Sequence, residues 1–403
     1  MYRVSAFLHR FALALLAGVA LATLWVNLSP ASYYDLVELR LADLPLPLWL
    51  APQPVSLTPL LVVSDGLMAL FFFFVGKELW EALILDRGAL TGNRAYLPLG
   101  LTVGGMAGAA GAWLLLSWGL QTAEEASFGT GWPVPLGTDV VLAYLVGRWV
   151  FGPGHPALHL LLLLCIGTDI LALLVFGLAY PALSGRLVWL ALPLLASAGV
   201  WAAWGRRPPD AASERRKRAT LALWPYVLAG GLSWVGIVAS GLPGALGLLP
   251  VIPAIAHADR AFGLFAEAEE YLHDPLNRLA HLLITPLAVV LFAFGLLRGG
   301  IDFAAFAPTT TILLGSLWLG RPLGMMLGGL AVALTAGLRL PPGVSLRDSL
   351  MVAVIMGLGF TVPLLAIDGA LPGGAMQEAA RLGAALSLGA AGLAGGLARL
   401  VRR

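Results

Sequence analysis

Residues 161–180 read LLLLCIGTDILALLVFGLAY, an apolar stretch with a single carboxylate, Asp169, near its centre. The stretch before it, GWPVPLGTDVVLAYL at 131–145, carries the same Gly-Thr-Asp tripeptide and ends it with Asp139. About 20 apolar residues in a helix cross a hydrocarbon core of roughly 30 Å. A charge inside such a segment costs at least a few kcal/mol and is kept where it meets water, an ion or a partner. The two tripeptides therefore mark the candidate site, with Asp169 as its first residue.

The composition of the whole chain extends this interpretation. Of its 403 residues, 59% are hydrophobic and only 11% charged, which favours a polytopic membrane protein over a soluble one. The apolar runs are continuous and lack the period-two alternation of outer-membrane barrels. About 12 runs are long enough to span a bilayer. We therefore predict an all-α polytopic membrane protein with about 12 transmembrane helices, in which residues 1–403 form a single integral membrane domain.

Basic residues set the predicted orientation. If the chain starts in the cytoplasm, most Lys and Arg residues fall on the cytoplasmic side, and only Arg40, Arg186, Arg298 and Arg381 fall outside. Both termini are therefore predicted to be cytoplasmic. The basic segment 205–218 is predicted to be a cytoplasmic loop, with binding of anionic lipid as the alternative. Residues 29–56 are predicted to form an external connection with room for a short hairpin.

Two predicted spans contain residues that break helices. The sequence WPVPLG at 132–137 stands directly before Thr138 and Asp139, and GLGFTVP at 357–363 interrupts a later span. Proline removes a backbone donor and clashes with the preceding turn, so both helices are expected to unwind. Broken helices at corresponding places in two halves are typical of inverted-repeat transporters. The predicted repeats are residues 95–180 and 305–400.

Helix ends inside a membrane carry partial charges that need compensation. Asp139 follows the first break and is predicted to offset the positive ends of the crossed helices. Arg321, in SLWLGRPLGMMLGG, stands out as the only basic residue deep in a predicted span, and we expect it to offset the negative ends. The alternative is that both residues only hold the broken helices together.

Asp169 has a sharper predicted role. A buried carboxylate holds either a proton or a metal cation, and that competition is sufficient for exchange. Small hard cations such as Na⁺ and Li⁺ prefer oxygen ligands, which Asp169, Thr138 and Thr168 offer, with Asp139 close by. The alternative is a protonated Asp169 that is satisfied within a helix interface.

The chain resembles the NhaA family of bacterial sodium/proton antiporters over nearly its whole length. The motifs that carry the resemblance are SDGLMALFFFFVGKELWEAL at 64–83, GWPVPLGTDVVLAYL at 131–145, LCIGTDILALL at 164–174, LGRPLGM at 319–325 and GLGFTVPLLA at 357–366. The resemblance implies exchange of Na⁺ or Li⁺ for H⁺ across the inner membrane, for pH and sodium homeostasis. It also implies two crossed, unwound helices in a core domain and a dimerisation or scaffold domain.

The resemblance assigns roles to particular residues. Thr138 and Asp139 match the family's Thr-Asp pair in the unwound fourth helix, and Asp169 matches the carboxylate expected to bind the cation. Glu78, Glu269 and His273 match polar positions thought to sense pH, with a merely hydrated loop face as the alternative.

Two residues depart from the family's pattern, and both bear on how much charge each transport cycle moves across the membrane. Thr168 stands where the family has the first carboxylate of a pair, and Arg321 stands where it has a lysine. Lysine can lose its proton beside a carboxylate, whereas arginine effectively cannot. The sequence thus leaves one obvious titrating group, Asp169, and predicts electroneutral exchange.

Other functions remain as alternatives. A Na⁺-coupled symporter of an organic anion is possible on the same fold, since positive helix ends and Arg321 attract carboxylates. A non-transporting scaffold or sensor is the other alternative, although it would not need costly charges in the membrane. No nucleophile and base occur at a spacing that predicts an enzyme. We expect no cofactor and no nucleic-acid partner; the expected partners are the bilayer, the transported ions and, as an open possibility, a second copy of the chain.

Overall fold

A computed structural model describes residues 4–44, 55–85, 90, 95–120, 128–179, 187–205, 221–257, 263–337 and 340–402. Within these residues the chain folds almost entirely into helices. In chain order the helices and strands are α1 (Phe7–Leu28), α2 (Pro30–Val37), β1 (Ala42–Leu44), β2 (Val55–Leu57), α3 (Pro59–Ile84), α4 (Tyr96–Leu120), α5 (Val140–Phe151), α6 (Pro156–Ala179), α7 (Leu187–Gly205), α8 (Trp224–Ser240), α9 (Pro275–Arg298), α10 (Pro308–Ala336), α11 (Leu346–Ile355), α12 (Thr361–Ala370), α13 (Ala375–Leu386) and α14 (Ala390–Arg402).

The helices confirm an all-α polytopic membrane protein. Eight described helices are long and apolar enough to cross a bilayer, and a bent pair, Phe128–Leu136 with α5, makes a ninth span with a 55° angle at its break. Three shorter apolar helices, α8, Gly244–Ala254 and α12, also occur among the described residues, so eight or nine of the predicted twelve or so spans are seen as full-length apolar helices. The chain is therefore a multi-pass membrane protein.

The segments between spans are partly described. Strands β1 and β2 pair antiparallel, with Ala42 opposite Leu57, and form the hairpin predicted for the connection at residues 29–56. The predicted basic loop at 205–218 lies outside the described residues except for Gly205, the last residue of α7.

Glycine lets α4 and α10 pack backbone to backbone. A Cβ atom added to Gly108 would lie 2.2 Å from the carbonyl oxygen of Gly320, and one added to Gly324 would lie 2.2 Å from that of Gly104. Small residues at such interfaces let membrane helices approach closely, where packing rather than water expulsion holds them together. The contact fixes the backbone of Arg321, which directly follows Gly320.

A second close pair, α1 with α9, uses the same device. A Cβ atom on Gly18 would lie 2.2 Å from the carbonyl oxygen of Phe292, and one on Gly295 would lie 2.5 Å from that of Leu15. Among the long apolar helices that the structure describes, α6 is the most buried, with 72% of an 18-residue stretch inside the protein. Asp169 lies in this helix, so the fold carries it into the interior.

Candidate functional site

Two unwound segments cross in the interior. The first, 137–139, joins the 3-10 turn Val134–Leu136 to α5, and the second, 356–360, joins α11 to α12. At the crossing a Cβ atom on Gly137 would lie 2.2 Å from Cγ1 of Val362, so only glycine fits there without displacing the second segment. The Val362 amide lies 3.5 Å from the Thr138 carbonyl oxygen. The crossing therefore brings residues from both breaks into direct contact.

Asp139 lies between the beginnings of two helices. Its Oδ1 accepts hydrogen bonds from the amides of Val141 (3.1 Å) and Leu142 (2.8 Å) in the first turn of α5. Its Oδ2 accepts from the amide (3.2 Å) and the hydroxyl of Thr361 at the start of α12. A carboxylate at a helix N-terminus satisfies orphan amides and offsets the positive end of the dipole. One side chain does this here for two helices, and it is 1% exposed.

Arg321 lies near the C-terminal end of a helical turn, where the partial charge is negative. Its Nη2 donates to the carbonyl oxygens of Pro135 and Gly137, the latter at 2.8 Å, where the 3-10 turn Val134–Leu136 ends. The side chain is 1% exposed, and its Nε has no hydrogen-bond partner among the described residues. The ion pairs found in the described part of the chain do not include Arg321. Its charge therefore faces backbone carbonyls at a negative helix end.

Asp169, in the middle of α6, contacts the first unwound segment, residues 137–139. Its Oδ1 accepts from the Thr138 amide at 2.6 Å and from the Thr138 hydroxyl at 2.7 Å, and the side chain is 3% exposed. The Thr138 hydroxyl also lies 3.5 Å from the carbonyl oxygen of Cys165. The structure thus joins two of the residues singled out by the Gly-Thr-Asp motifs.

Thr168, which directly precedes Asp169 in the sequence, is also buried. It is 1% exposed, and its hydroxyl has no hydrogen-bond partner in the described structure. A buried hydroxyl without a partner loses the hydrogen bonds that it would make in water. The described structure therefore gives this buried oxygen no protein partner.

A second polar cluster surrounds Lys77 in α3. Its Nζ lies 3.1 Å from Glu78 Oε1, 3.2 Å from Glu81 Oε2 and 2.5 Å from Glu269 Oε2. Glu78 Oε2 also accepts from the Phe265 amide at 2.5 Å. Lys77 is 1% exposed, and the carboxylates around it compensate its buried charge.

This cluster corrects one expectation. Arg321 was expected to be the only basic residue deep in a span, but Lys77 lies buried within α3 as well. The three carboxylates around Lys77 make its burial tolerable, and one of them, Glu269, comes from the distant turn Glu267–Tyr271. The spacing Lys-Glu-x-x-Glu in the printed sequence is the one local signal that would have indicated part of it.

The residues predicted to sense pH do not all meet. Glu78 and Glu269 both contact Lys77, whereas His273 is exposed and lies outside this cluster. A cavity beside Lys77 is lined by Glu78 and Glu269 and also by Asn277 and His281, which the sequence did not single out.

Glu269, which lies outside the spans, makes the cluster sensitive to pH. Burial raises the pKa of the Glu269 carboxyl well above its usual range, and the nearby Glu78 carboxylate adds to the increase, while the Lys77 ammonium opposes it. Above the unfolded pKa of about 4.3, the folded protein keeps a proton that the unfolded chain has lost. Stability therefore falls as pH rises, until the folded pKa is passed.

We expect Glu269→Gln to flatten this dependence, because a neutral amide has no proton to lose. Between pH 5 and 9 the melting temperature of the purified protein should fall less steeply with pH for the variant than for wild type. The slopes of the free energy of unfolding against pH should differ by up to about 1.4 kcal/mol per pH unit. The control is Glu267→Gln on the same turn, where the side chain is exposed. Equal slopes for wild type and Glu269→Gln would contradict the assignment.

Known proteins resemble this chain over nearly its whole length. A family model described as Na+/H+ antiporter 1 matches residues 8–398. The chain is 40% identical to the Na(+)/H(+) antiporter NhaA of Jannaschia sp. (strain CCS1), across 97% of this chain and 96% of that relative. It is 35% identical to Na(+)/H(+) antiporter NhaA 2 of Pelobacter propionicus, across 98% of this chain and 97% of that one.

A solved structure shows that the fold is shared more widely. The sodium proton antiporter MjNhaP1 from Methanocaldococcus jannaschii superimposes with a TM-score of 0.55 over 96% of this chain and 91% of its own, at 15% identity. The family match and the two bacterial relatives confirm the resemblance seen in the sequence motifs. The chain belongs to the Na+/H+ antiporter 1 family.

Proposed function

We propose that this protein exchanges Na⁺ or Li⁺ for H⁺ across a bacterial inner membrane, electroneutrally, and so serves pH and sodium homeostasis. The observation that carries the proposal is the Asp169 carboxylate, buried in α6 and hydrogen-bonded to the unwound backbone of the first broken helix through Thr138. A buried carboxylate at such a break is a site where a proton and a cation compete. The names of the two bacterial relatives agree with this exchange.

The proposed ligands are oxygen atoms that small hard cations prefer. Asp169 supplies a carboxylate, Thr138 a hydroxyl or carbonyl, and Thr168 a hydroxyl that has no partner among the described residues. Asp139, the residue after Thr138, lies next to these ligands in the sequence. When the cation leaves, a proton on Asp169 replaces its charge, so that the site stays neutral within the membrane.

The two remaining charges have fixed roles in this proposal. Asp139 compensates the positive ends of α5 and α12, and Arg321 the negative end at Pro135 and Gly137. Neither role needs a change of protonation, and arginine keeps its proton under all working conditions. Asp169 is then the one group at the crossing that carries protons.

The proposed organisation follows the order of the helices. Residues 95–180 and 305–400 each contain a long helix, a broken helix and a further long helix, which supports two inverted repeats within one domain. We place both termini in the cytoplasm from the distribution of basic residues. Glu78 and Glu269 are proposed to tune activity with pH, through the Lys77 cluster and without His273.

Electroneutral exchange makes a testable prediction. If one site carries either one proton or one monovalent cation, each cycle moves no net charge, and we expect the rate to be independent of membrane potential. Purified protein in liposomes, with internal pH followed after Na⁺ is added, should give equal rates when a K⁺ gradient and valinomycin set the potential to zero or to either sign.

The same assay tests the exchange itself and its selectivity. Na⁺ and Li⁺ should each drive proton movement, and vesicles without protein give the background. No cation-dependent change in internal pH would refute the proposed function, whereas a rate that rises with potential would refute only its electroneutrality.

A further inference from the structure

A third interrupted helix lies beside the two broken ones. The 3-10 turn Ser387–Gly389 separates α13 from α14, inside the apolar span Ala375–Leu397. Ser387 is 0% exposed although serine carries a polar hydroxyl. The partners of that hydroxyl connect this turn to the second crossing segment.

Ser387 holds the backbone of the unwound segment 356–360. The Gly359 amide donates to Ser387 Oγ at 3.0 Å, while the Ser387 hydroxyl has the carbonyl oxygens of Ala384 at 2.6 Å and Gly359 at 3.3 Å as acceptors. Backbone groups freed by unwinding have no water to bond to at this depth and need a partner from the protein. Ser387 is such a partner for Gly359.

Ser387 also meets the helix that carries Arg321. The Trp318 indole donates to the Ser387 carbonyl oxygen at 3.4 Å. Trp318 lies in the π-helical turn Ser316–Gly320, which ends one residue before Arg321. Single π-turns within α-helices occur frequently at functional sites.

The packing around this turn is close on both sides. A Cβ atom added to Gly357 would lie 3.0 Å from the Leu317 carbonyl oxygen, and one added to Gly389 would lie 3.1 Å from the Trp318 ring. The unwound segment, the π-turn and the 3-10 turn therefore contact one another with little free space. A shift of one would move the others.

The connection reaches the ion site through two residues. Thr361 follows Gly359 by two positions and donates its amide and hydroxyl to Asp139. On the other side, Arg321 donates to the Gly137 carbonyl, directly before Thr138. Ser387 is thus connected, through Gly359 and Trp318, to Thr361 and Arg321, the two residues that hold the first unwound segment next to Asp169.

We propose that Ser387 is a positioning residue for cation binding. It holds the second unwound segment and the π-turn at a fixed distance, and so keeps Thr361 and Arg321 where they align Thr138 with Asp169. Ser387 itself does not contact Asp169. The proposal rests on the exchange proposed above, because it concerns the affinity of that same site.

The test compares three substitutions at this position. Ser387→Ala and the nearly isosteric Ser387→Cys remove or weaken the hydroxyl's hydrogen bonds, and we expect the apparent KM for Na⁺ to rise about tenfold in both. Ser387→Thr keeps the hydroxyl but adds a methyl group to this closely packed turn, so its KM should lie between those of wild type and Ser387→Ala. The matched control is Ser233→Ala, another fully buried serine whose hydroxyl donates to a backbone carbonyl, that of Gly247 at 2.6 Å.

A second measurement separates affinity from transport and from folding. The Na⁺ concentration that gives half of the cation-induced rise in melting temperature should increase by the same factor in the Ala and Cys variants. If Ser387→Ala does not fold, Ser387→Cys decides alone. Wild-type values of both quantities in the Ala and Cys variants would overturn the proposal. A wild-type protein that moves no protons in response to Na⁺ would instead remove the proposed function.

Discussion

Asp169→Asn is expected to abolish Na⁺-dependent proton movement and to leave the protein folded in the membrane. The amide has nearly the volume of the carboxyl, and its oxygen can still accept from the Thr138 amide and hydroxyl, so the contact between α6 and the first break persists. It carries no negative charge for a cation and exchanges no proton. Both halves of the proposed cycle are therefore lost together.

The measurement is internal pH in liposomes after addition of Na⁺ or Li⁺, at matched protein content and melting temperature. The control is Asp65→Asn, which changes a partly buried carboxyl that accepts from the Gly244 amide rather than from the crossing segments. We expect that variant to transport. Substantial proton movement by a well-folded Asp169→Asn protein would remove Asp169 from the centre of the mechanism.

Local sequence was sufficient to predict the first half of the site. The Gly-Thr-Asp tripeptides put Asp139 and Asp169 in apolar runs, and the prolines at 133 and 135 predicted the break beside Thr138. These signals are local because a break, a cap and an intramembrane charge each depend on only a few neighbouring residues. The structure then brings Thr138 and Asp169 within hydrogen-bond distance.

Contacts between distant parts of the chain could not be predicted in this way. Lys77 is compensated by Glu269, which lies 192 residues away, and Thr361 meets Asp139 across 222 residues. No periodicity or composition indicates which distant groups will face each other. Lys77 therefore resembled a residue at a membrane surface, although it lies buried among three carboxylates.

The position of His273 could not be predicted from the sequence either. The resemblance to the family placed it with Glu78 and Glu269, but it directly precedes Asp274, whose side chain caps the first turn of α9. An N-cap residue lies at the point where the chain enters the helix, and here the preceding side chain points to solvent. Ser387 was missed for a related reason, since a lone serine in an apolar run gives no sign of the unwound backbone it will meet.

Asp139→Ala is expected to destabilise the crossing more than any other single truncation at the site. The carboxylate accepts from the amides of Val141, Leu142 and Thr361 and from the Thr361 hydroxyl. Alanine leaves these donors buried without an acceptor, at a cost of about 1–3 kcal/mol each if no water replaces it. It also removes the charge that faces two positive helix ends. We expect a loss of at least about 3 kcal/mol and a weaker apparent affinity for Na⁺.

Thermal unfolding in detergent measures this loss, and Asp139→Asn shows where it comes from. The Asn oxygen can accept from one helix end only, because its amide nitrogen is a donor and faces donors at the other end. The Asn variant should therefore melt between wild type and Asp139→Ala. Equal melting temperatures for Asn and wild type would mean that the charge adds nothing. A wild-type melting temperature and a wild-type KM for Asp139→Ala would show that the broken helices need no compensation, and the role given to Arg321 at the negative end would lose its counterpart.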